Sequence, residues 1–284
     1  IFCSVLNLEQ KWYFAQCGAN DPQAWNIELP DSLQYEQIKQ VLTHEVGHTL
    51  GLEHNFLGSS HYSIDQLRDN DFLSQYSIGS SIMDYVRCNY ALRPQDKVDL
   101  RNRRVRVGEY DKWAIEWGYR YYRHHANSDS LLKEWVTQQQ EQRELRFANN
   151  SGIDPEVQSE DLSNDLLAAN ALGIENLKYM KSNEPLWRSG EWANRQIWIN
   201  RQSWMEIQYN NFLTQAILYQ HPDSTTYTYP KATGRHRVHK QIRILIAGVV
   251  IWQPPKDILV LPGNYPFADT AMRVCSKQLR AISQ

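Results

Sequence analysis

The sequence has little cysteine and no long hydrophobic run, and these two absences exclude several classes of protein. Its 284 residues include 4 cysteines, none of them in a C-x-x-C pair, so neither a zinc ribbon nor a dense disulfide framework is expected. One bridge is open to the chain in an oxidising compartment, with Cys3 and Cys17 nearest in sequence, but free buried thiols are the simpler expectation. The most apolar stretch, 242–252, is too short to span a bilayer and contains Arg243, so no transmembrane segment is predicted.

An excess of one charge sign is also lacking. The 30 Lys and Arg residues against 32 Asp and Glu residues leave a net charge of −2, which gives no bulk attraction to nucleic acid or to an anionic membrane. The basic runs at 101–106 and 231–243 are therefore expected to be solvated surface that pairs with acidic residues. No nucleic-acid partner is predicted.

One dense motif stands out, H-E-x-x-H-x-x-G-x-x-H from His44 to His54. His44 and His48 are one helical turn apart, so their imidazoles lie on one face of a helix and can reach one Zn2+. Glu45 would lie beside the metal, where a carboxylate can accept a proton from water. Gly51 lets the helix end in a left-handed turn, and that turn delivers His54 as the third ligand. Three protein ligands leave a fourth position open, which is typical of catalytic zinc.

This motif resembles the signature of the metzincin zinc metalloproteases, which also carry a methionine turn under the metal. The stretch Ser81–Tyr85 follows the third histidine at a suitable distance, with Met83 as the methionine. Together with the stretches 110–119, 160–165 and 173–177, it is similar to a family of large bacterial zinc-dependent metalloproteases that are exported or anchored to the membrane. The resemblance implies that Met83 is a packing residue and not a ligand. It also implies an extracellular, periplasmic or cell-envelope location.

The resemblance further implies an endopeptidase that hydrolyses a peptide or protein substrate with metal-activated water and with Glu45 as general base. Tyr85 corresponds to a tyrosine that in some metzincins approaches the zinc and supports the transition state; the alternative is a packed wall residue. Asn55 stands where many metzincins carry an acid, a departure that changes the surroundings of the third ligand. A G-x-S-x-G elbow is missing, so nothing in the sequence favours a covalent mechanism.

Two other interpretations stay open from the residues alone. A zinc-containing peptide-binding module could keep the three histidines with weak or no turnover, although such a module would not need Glu45. A zinc hydrolase of another kind could use the same triad on a different amide. A gluzincin layout, with a distant glutamate as third ligand, is disfavoured because Gly51 and His54 are both in place.

The hydrophobic periodicity predicts a mainly α fold with an α+β remnant. We expect a metzincin-like catalytic core at 1–126 and a helical region at 127–284. The active-site helix is predicted from about Ser32 to Leu50, capped by Asp31. Few short strands are expected, such as those at Phe2–Leu6 and Trp12–Ala15.

Only 43 residues precede His44, fewer than the sheet of a metzincin catalytic domain requires. We therefore expect that sheet to lie upstream of this chain. Without it, the active-site helix should expose an apolar side that includes some of Ile38, Val41 and Leu42.

Four polar residues outside the motif are weaker candidates for metal ligands. His61 lies in the polar stretch 55–80; the role of a substitute ligand is open to it, but a solvated loop histidine is the expectation. Glu160, Asp161 and Asp165 offer the oxygen ligands that Ca2+ prefers, but their spacing is not that of an EF-hand loop. Helix capping by Asp161 or Ser163 is the expected use.

Overall fold

The computed structural model describes residues 2–26, 28–121, 128–139, 141–149, 154, 156–184 and 195–220. This part of the chain consists of helices and loops and contains no β-strand. Its α-helices are α1 (Phe2–Cys17), α2 (Asp31–Thr49), α3 (Ile64–Leu67), α4 (Asn70–Gln75), α5 (Glu109–Tyr119), α6 (Ser128–Gln139), α7 (Leu166–Ser182) and α8 (Arg195–Gln220). Short 3-10 helices lie at Pro22–Trp25, Gly58–Ser60, Leu100–Arg103 and Arg143–Leu145. The mainly helical fold class is confirmed.

Helix α1 occupies the stretch for which short strands are predicted, so the strands at Phe2–Leu6 and Trp12–Ala15 are wrong. Four consecutive side chains, 12–15, are all buried. A short apolar run of this kind is compatible with a strand or with a buried helix. Packing decides for the helix, because α1 contacts α2, α7 and α8 and can therefore bury several of its sides.

Helix α2 begins and ends within one residue of its predicted bounds. The predicted cap by Asp31 is wrong, because Pro30 is the N-cap residue and no side chain caps the helix. Asp31 is instead the first helical residue, where its negative charge interacts favourably with the helix dipole. Gln34 Nε2 donates to the carbonyl of Leu29 at 2.7 Å and holds the chain where it enters the helix.

One side of α2 is apolar and exposed. Its side chains recur every four or seven residues, a spacing that places them on one face of a helix. They are Tyr35 at 62%, Leu42 at 46%, Val46 at 52% and Leu50 at 43% exposed. The exposure expected for Leu42 is confirmed, whereas Ile38 and Val41 are half-buried.

Helices α1, α7 and α8 pack together and bury much of the core. Met205, Tyr209, Phe212 and Ala216 of α8 are buried in this core, and Tyr219 is partly buried against it. Gly173 of α7 makes this packing close, since a Cβ there would lie 2.3 Å from Phe212 Cζ.

Cys17 and Cys88 are buried free thiols, as predicted. Several predicted features lie outside the described residues: the side chain of Cys3, Cys275, the basic run at 231–243 and the part of the predicted helical region after residue 220. Among the described helices, none combines the length and the apolar character needed to cross a membrane. The division of the chain between 126 and 127 stays a prediction.

The turn that contains Met83 is anchored to the N-terminus of α5 by one buried carboxylate. Asp111, 2% exposed, accepts hydrogen bonds from Ser81 Oγ at 2.6 Å, from the Ile82 amide at 2.7 Å and from the Gly108 amide at 2.8 Å. Gly108 allows the close approach, because a Cβ on it would lie 2.1 Å from the Ser80 carbonyl oxygen. The position of the turn therefore depends on α5.

Replacing Asp111 with alanine should destabilise the protein by about 3–5 kcal/mol, because three buried donors lose their common acceptor. Urea denaturation of the full chain measures this difference. Asp129→Ala, at an exposed acid in the first turn of α6, is the control and should change stability by less than about 0.5 kcal/mol. A loss below about 1 kcal/mol in the Asp111 variant would contradict the anchoring role.

Candidate metal centre

The end of helix α2 brings the three histidines of the motif together. His44 and His48 lie on its last two turns, and the chain then reverses at Gly51, whose φ is +90°. The amide of Gly51 donates to the His48 carbonyl and that of Leu52 to the Gly47 carbonyl, each at 3.0 Å. This pair of hydrogen bonds is the Schellman motif, which favours glycine at the left-handed position. His54 is thereby placed opposite the two helical histidines.

The imidazole nitrogens converge closely enough to hold a metal ion. One nitrogen from each of His44, His48 and His54 lies within 4.8 Å of the others. The His48 and His54 Nε2 atoms are 3.2 Å apart, close to the roughly 3.3 Å that separates two nitrogens bound about 2.0–2.1 Å from a tetrahedral zinc. Three imidazoles are also a donor set that zinc accepts. The residues therefore fit a zinc ion.

Two of the imidazoles are held in orientation by backbone carbonyls. His44 Nδ1 lies 2.8 Å from the Ile82 carbonyl oxygen, and His48 Nδ1 lies 2.8 Å from that of Leu52. A carbonyl can only accept, so each Nδ1 carries the proton and each Nε2 keeps its lone pair for a metal. Sequence reasoning missed both partners, since any residue supplies a carbonyl.

The electrostatics of the site favour neutral imidazoles. Burial lowers the pKa of His44 and of His54, and the neighbouring histidines lower both further. Glu45 acts in the opposite sense on both pKa values, which places its charge near the triad. Its own side chain is exposed and has no hydrogen-bonding partner among the described residues. The carboxylate is thus accessible to water and to substrate.

Met83 packs against helix α2 at Gly47, next to His48. It is fully buried at 0% exposure, and a Cβ on Gly47 would lie 2.4 Å from its sulfur. Gly47 directly precedes His48 in α2, so the missing side chain there makes room for Met83 against the helix. Met83 thereby supports the turn of α2 that carries His44 and His48.

Tyr85 lies beside the histidines, where the sequence places a candidate catalytic tyrosine. Its ring centroid is 5.7 Å from that of His44 and 4.6 Å from that of His54. Phe56 packs against both His54 and Tyr85 at 5.5 Å. Tyr85 is 40% exposed, so it is available to a bound substrate as well as to the triad.

The triad is the one group of three His, Cys, Asp or Glu side chains with converging ligand atoms in the described part of the chain. The solvated position predicted for His61 is wrong, because the residue is 7% exposed and neither ring nitrogen has a described partner. Burial, together with Arg143 and Arg146, lowers the pKa of His61 to about 3, so its ring is neutral.

The acidic residues after position 159 have structural roles that differ from those predicted from the sequence. Asp165 caps α7 by accepting from the Ala168 amide at 3.1 Å, so the capping predicted for Asp161 or Ser163 is wrong. Asp161 is buried and accepts from Ser59 Oγ at 2.9 Å. Burial raises the pKa of Asp161 to about 8.

Sequence reasoning singled out Asn55 without identifying its partners, and it missed Asp111. Asn55 is fully buried, and its amide donates to the Met83 carbonyl at 3.2 Å. Its carboxamide bonds to the distant segment 146–148. Asp111 holds the Met83 turn. The position of Asn55 directly after the third histidine was the available signal, whereas Asp111 carried none that separates it from an ordinary helix residue.

Comparisons with known proteins agree with this geometry. The sequence profile of the Met-zincin family matches residues 26–238, which include the three histidines, Glu45 and Met83. No curated protein and no solved structure matches the chain. The match covers well over half of the chain, and its histidines converge as a metal site requires. The chain belongs to the Met-zincin family.

Proposed function

We propose that the chain is a zinc-dependent endopeptidase whose metal is held by His44, His48 and His54. The observation that carries the proposal is the convergence of three imidazoles at the end of α2, two of them oriented by carbonyls. A site that only stabilised the fold would have no use for the accessible carboxylate of Glu45 next to the ligands. Family membership supports metalloprotease chemistry of this kind.

Zinc at this triad would lower the pKa of a water molecule towards about 7 and polarise the substrate carbonyl. Glu45 is placed to act as general base and would accept a proton from the attacking water and pass it to the leaving amine. The Ile82 and Leu52 carbonyls keep two imidazoles in one tautomer, so the ligands need no rearrangement during turnover. Met83 packs against Gly47 and supports the helical turn that carries His44 and His48.

Tyr85 is the proposed support for the developing negative charge. Its ring packs near both His44 and His54, and its exposure leaves it free to approach a bound peptide. A phenol O–H that donates to the oxyanion only in the transition state would raise kcat without changing KM. The proposed substrate is a peptide or protein outside the cytoplasm, as the family resemblance implies.

His54→Ala should lower the affinity for zinc by more than about 100-fold, since even the loss of a residue that only orients a ligand costs about 10–100-fold. Metal analysis after dialysis against a weak chelator gives the stoichiometry. His61→Ala is the matched control, because this histidine lies outside the triad, and it should keep about one zinc per chain. Full zinc in the His54 variant would show that another residue is the third ligand.

Glu45→Ala should retain zinc and lower kcat/KM by about 10²- to 10⁴-fold, because only the proton acceptor is lost. Cleavage of casein, with fragments identified by mass spectrometry, measures the rate and separates internal cleavage from stepwise removal of terminal residues. Glu53→Ala, at an exposed carboxylate of the same motif, should stay within about 2-fold of the parent protein. Unchanged proteolysis in Glu45→Ala would remove Glu45 as the general base.

Tyr85→Phe should lower kcat by about 10-fold or more with little change in KM or zinc content, because only the hydroxyl is removed. Steady-state kinetics on one fluorogenic peptide is the measurement. Tyr35→Phe, on the exposed face of α2, provides the control and should be silent. If kcat is unchanged in the Tyr85 variant, this residue is a wall of the cleft and has no part in the chemistry.

A further inference from the structure

The residue that follows the third histidine is tied to a segment more than ninety positions away. Asn55 Nδ2 donates to the Arg146 carbonyl at 3.1 Å, and Asn55 Oδ1 accepts from the Ala148 amide at 3.1 Å. The Phe56 amide adds a bond to the Ala148 carbonyl at 2.8 Å. The carboxamide therefore clamps two peptide groups of this segment at once.

Asn55 also forms a hydrogen bond with the turn that contains Met83. The Asn55 amide donates to the Met83 carbonyl at 3.2 Å, and its Oδ1 accepts from the Leu57 amide at 3.4 Å. Asn55 is 0% exposed, so its own donors and acceptor are withdrawn from water, whereas segment 146–148 is half-buried or exposed. A buried group that lost its partner here would have no solvent to replace it.

We propose that Asn55 is a positioning residue that holds His54 in its metal-binding place by fastening segment 146–148 to the Met83 turn. A carboxamide is needed because the site requires one donor and one acceptor, whereas an ionised carboxylate only accepts. An acid here would place a negative oxygen against the Arg146 carbonyl. The proposal rests on the zinc site of the proposed function.

The clamp at Asn55 should affect how long the site retains zinc. His44 and His48 are fixed by a helix, but His54 stands in the loop that follows it. The packing of Phe56 and Tyr85 on His54, at 5.5 and 4.6 Å, and the clamp at Asn55 therefore limit the motion of the third ligand. If the clamp opens, zinc should leave faster through the loss of this ligand.

The test measures the rate at which the zinc-loaded full chain releases zinc to an excess of a chromogenic chelator. Asn55→Asp and Ala148→Pro should each speed release by about 10- to 100-fold, since each breaks the clamp from one side. Because both act on the same interaction, the double variant should be no more than about 2-fold faster than the faster single variant. Unchanged release in either single variant, or multiplicative effects in the double variant, would overturn the proposal.

Asn170→Asp is the matched control for a general loss of stability. Asn170 is equally buried and also donates and accepts, with Phe212, Gln215 and Tyr90 as partners, but it lies in α7 within the core. Its variant should lower Tm and leave the zinc release rate within about 2-fold of the parent. Release as fast as in Asn55→Asp would overturn the proposal by showing that any buried carboxylate has this effect.

The proposal and the peptidase assignment fail separately. A chain that binds zinc but cleaves no peptide would overturn the endopeptidase and leave the release measurements to decide on Asn55. A chain that cleaves peptides while Asn55→Asp keeps the parental release rate would overturn the positioning role alone. A parent chain that binds no zinc would overturn both.

Discussion

The contact between the Met83 turn and helix α2 is the interaction on which the metal centre depends. It has two parts, the hydrogen bond from His44 Nδ1 to the Ile82 carbonyl and the packing of the Met83 sulfur against Gly47. The first sets the tautomer and the direction of one ligand. The second brings the turn so close to the helix that no side chain can stand between them. Together they join stretches almost forty residues apart into one site.

The turn itself is held in place because its backbone forms hydrogen bonds with two different helices, α2 and α5. The Ile82 carbonyl accepts from His44 while its amide donates to Asp111, so a carboxylate on α5 helps to orient a metal ligand on α2. Asp84 continues the pattern by accepting from the Ser59 amide at 2.7 Å. Burial, with the nearby Asp161, raises the pKa of Asp84 well above its usual range. The metal centre is thus held by buried hydrogen bonds, each costly to break.

Sequence reasoning located the parts whose pattern is local. The spacing of His44 and His48, the glycine at position 51 and the bounds of α2 follow from the geometry of one helix and its end. Sequence reasoning gave wrong predictions where the outcome depends on the packing of several helices or loops. The apolar stretch around Trp12 is a helix because α2, α7 and α8 surround it, and His61 is buried although it lies in a polar stretch.

By itself, the sequence determined the kind of metal site, its three ligands, the neighbouring carboxylate and the helical character of the chain, because these depend on residue type and short spacing. Only the tertiary structure decided which carbonyls orient His44 and His48, that Asp111 anchors the Met83 turn, and that Asn55 bonds to segment 146–148. Hydrogen bonds between distant segments have no period in the sequence. Many of them end on backbone atoms, which every residue carries alike.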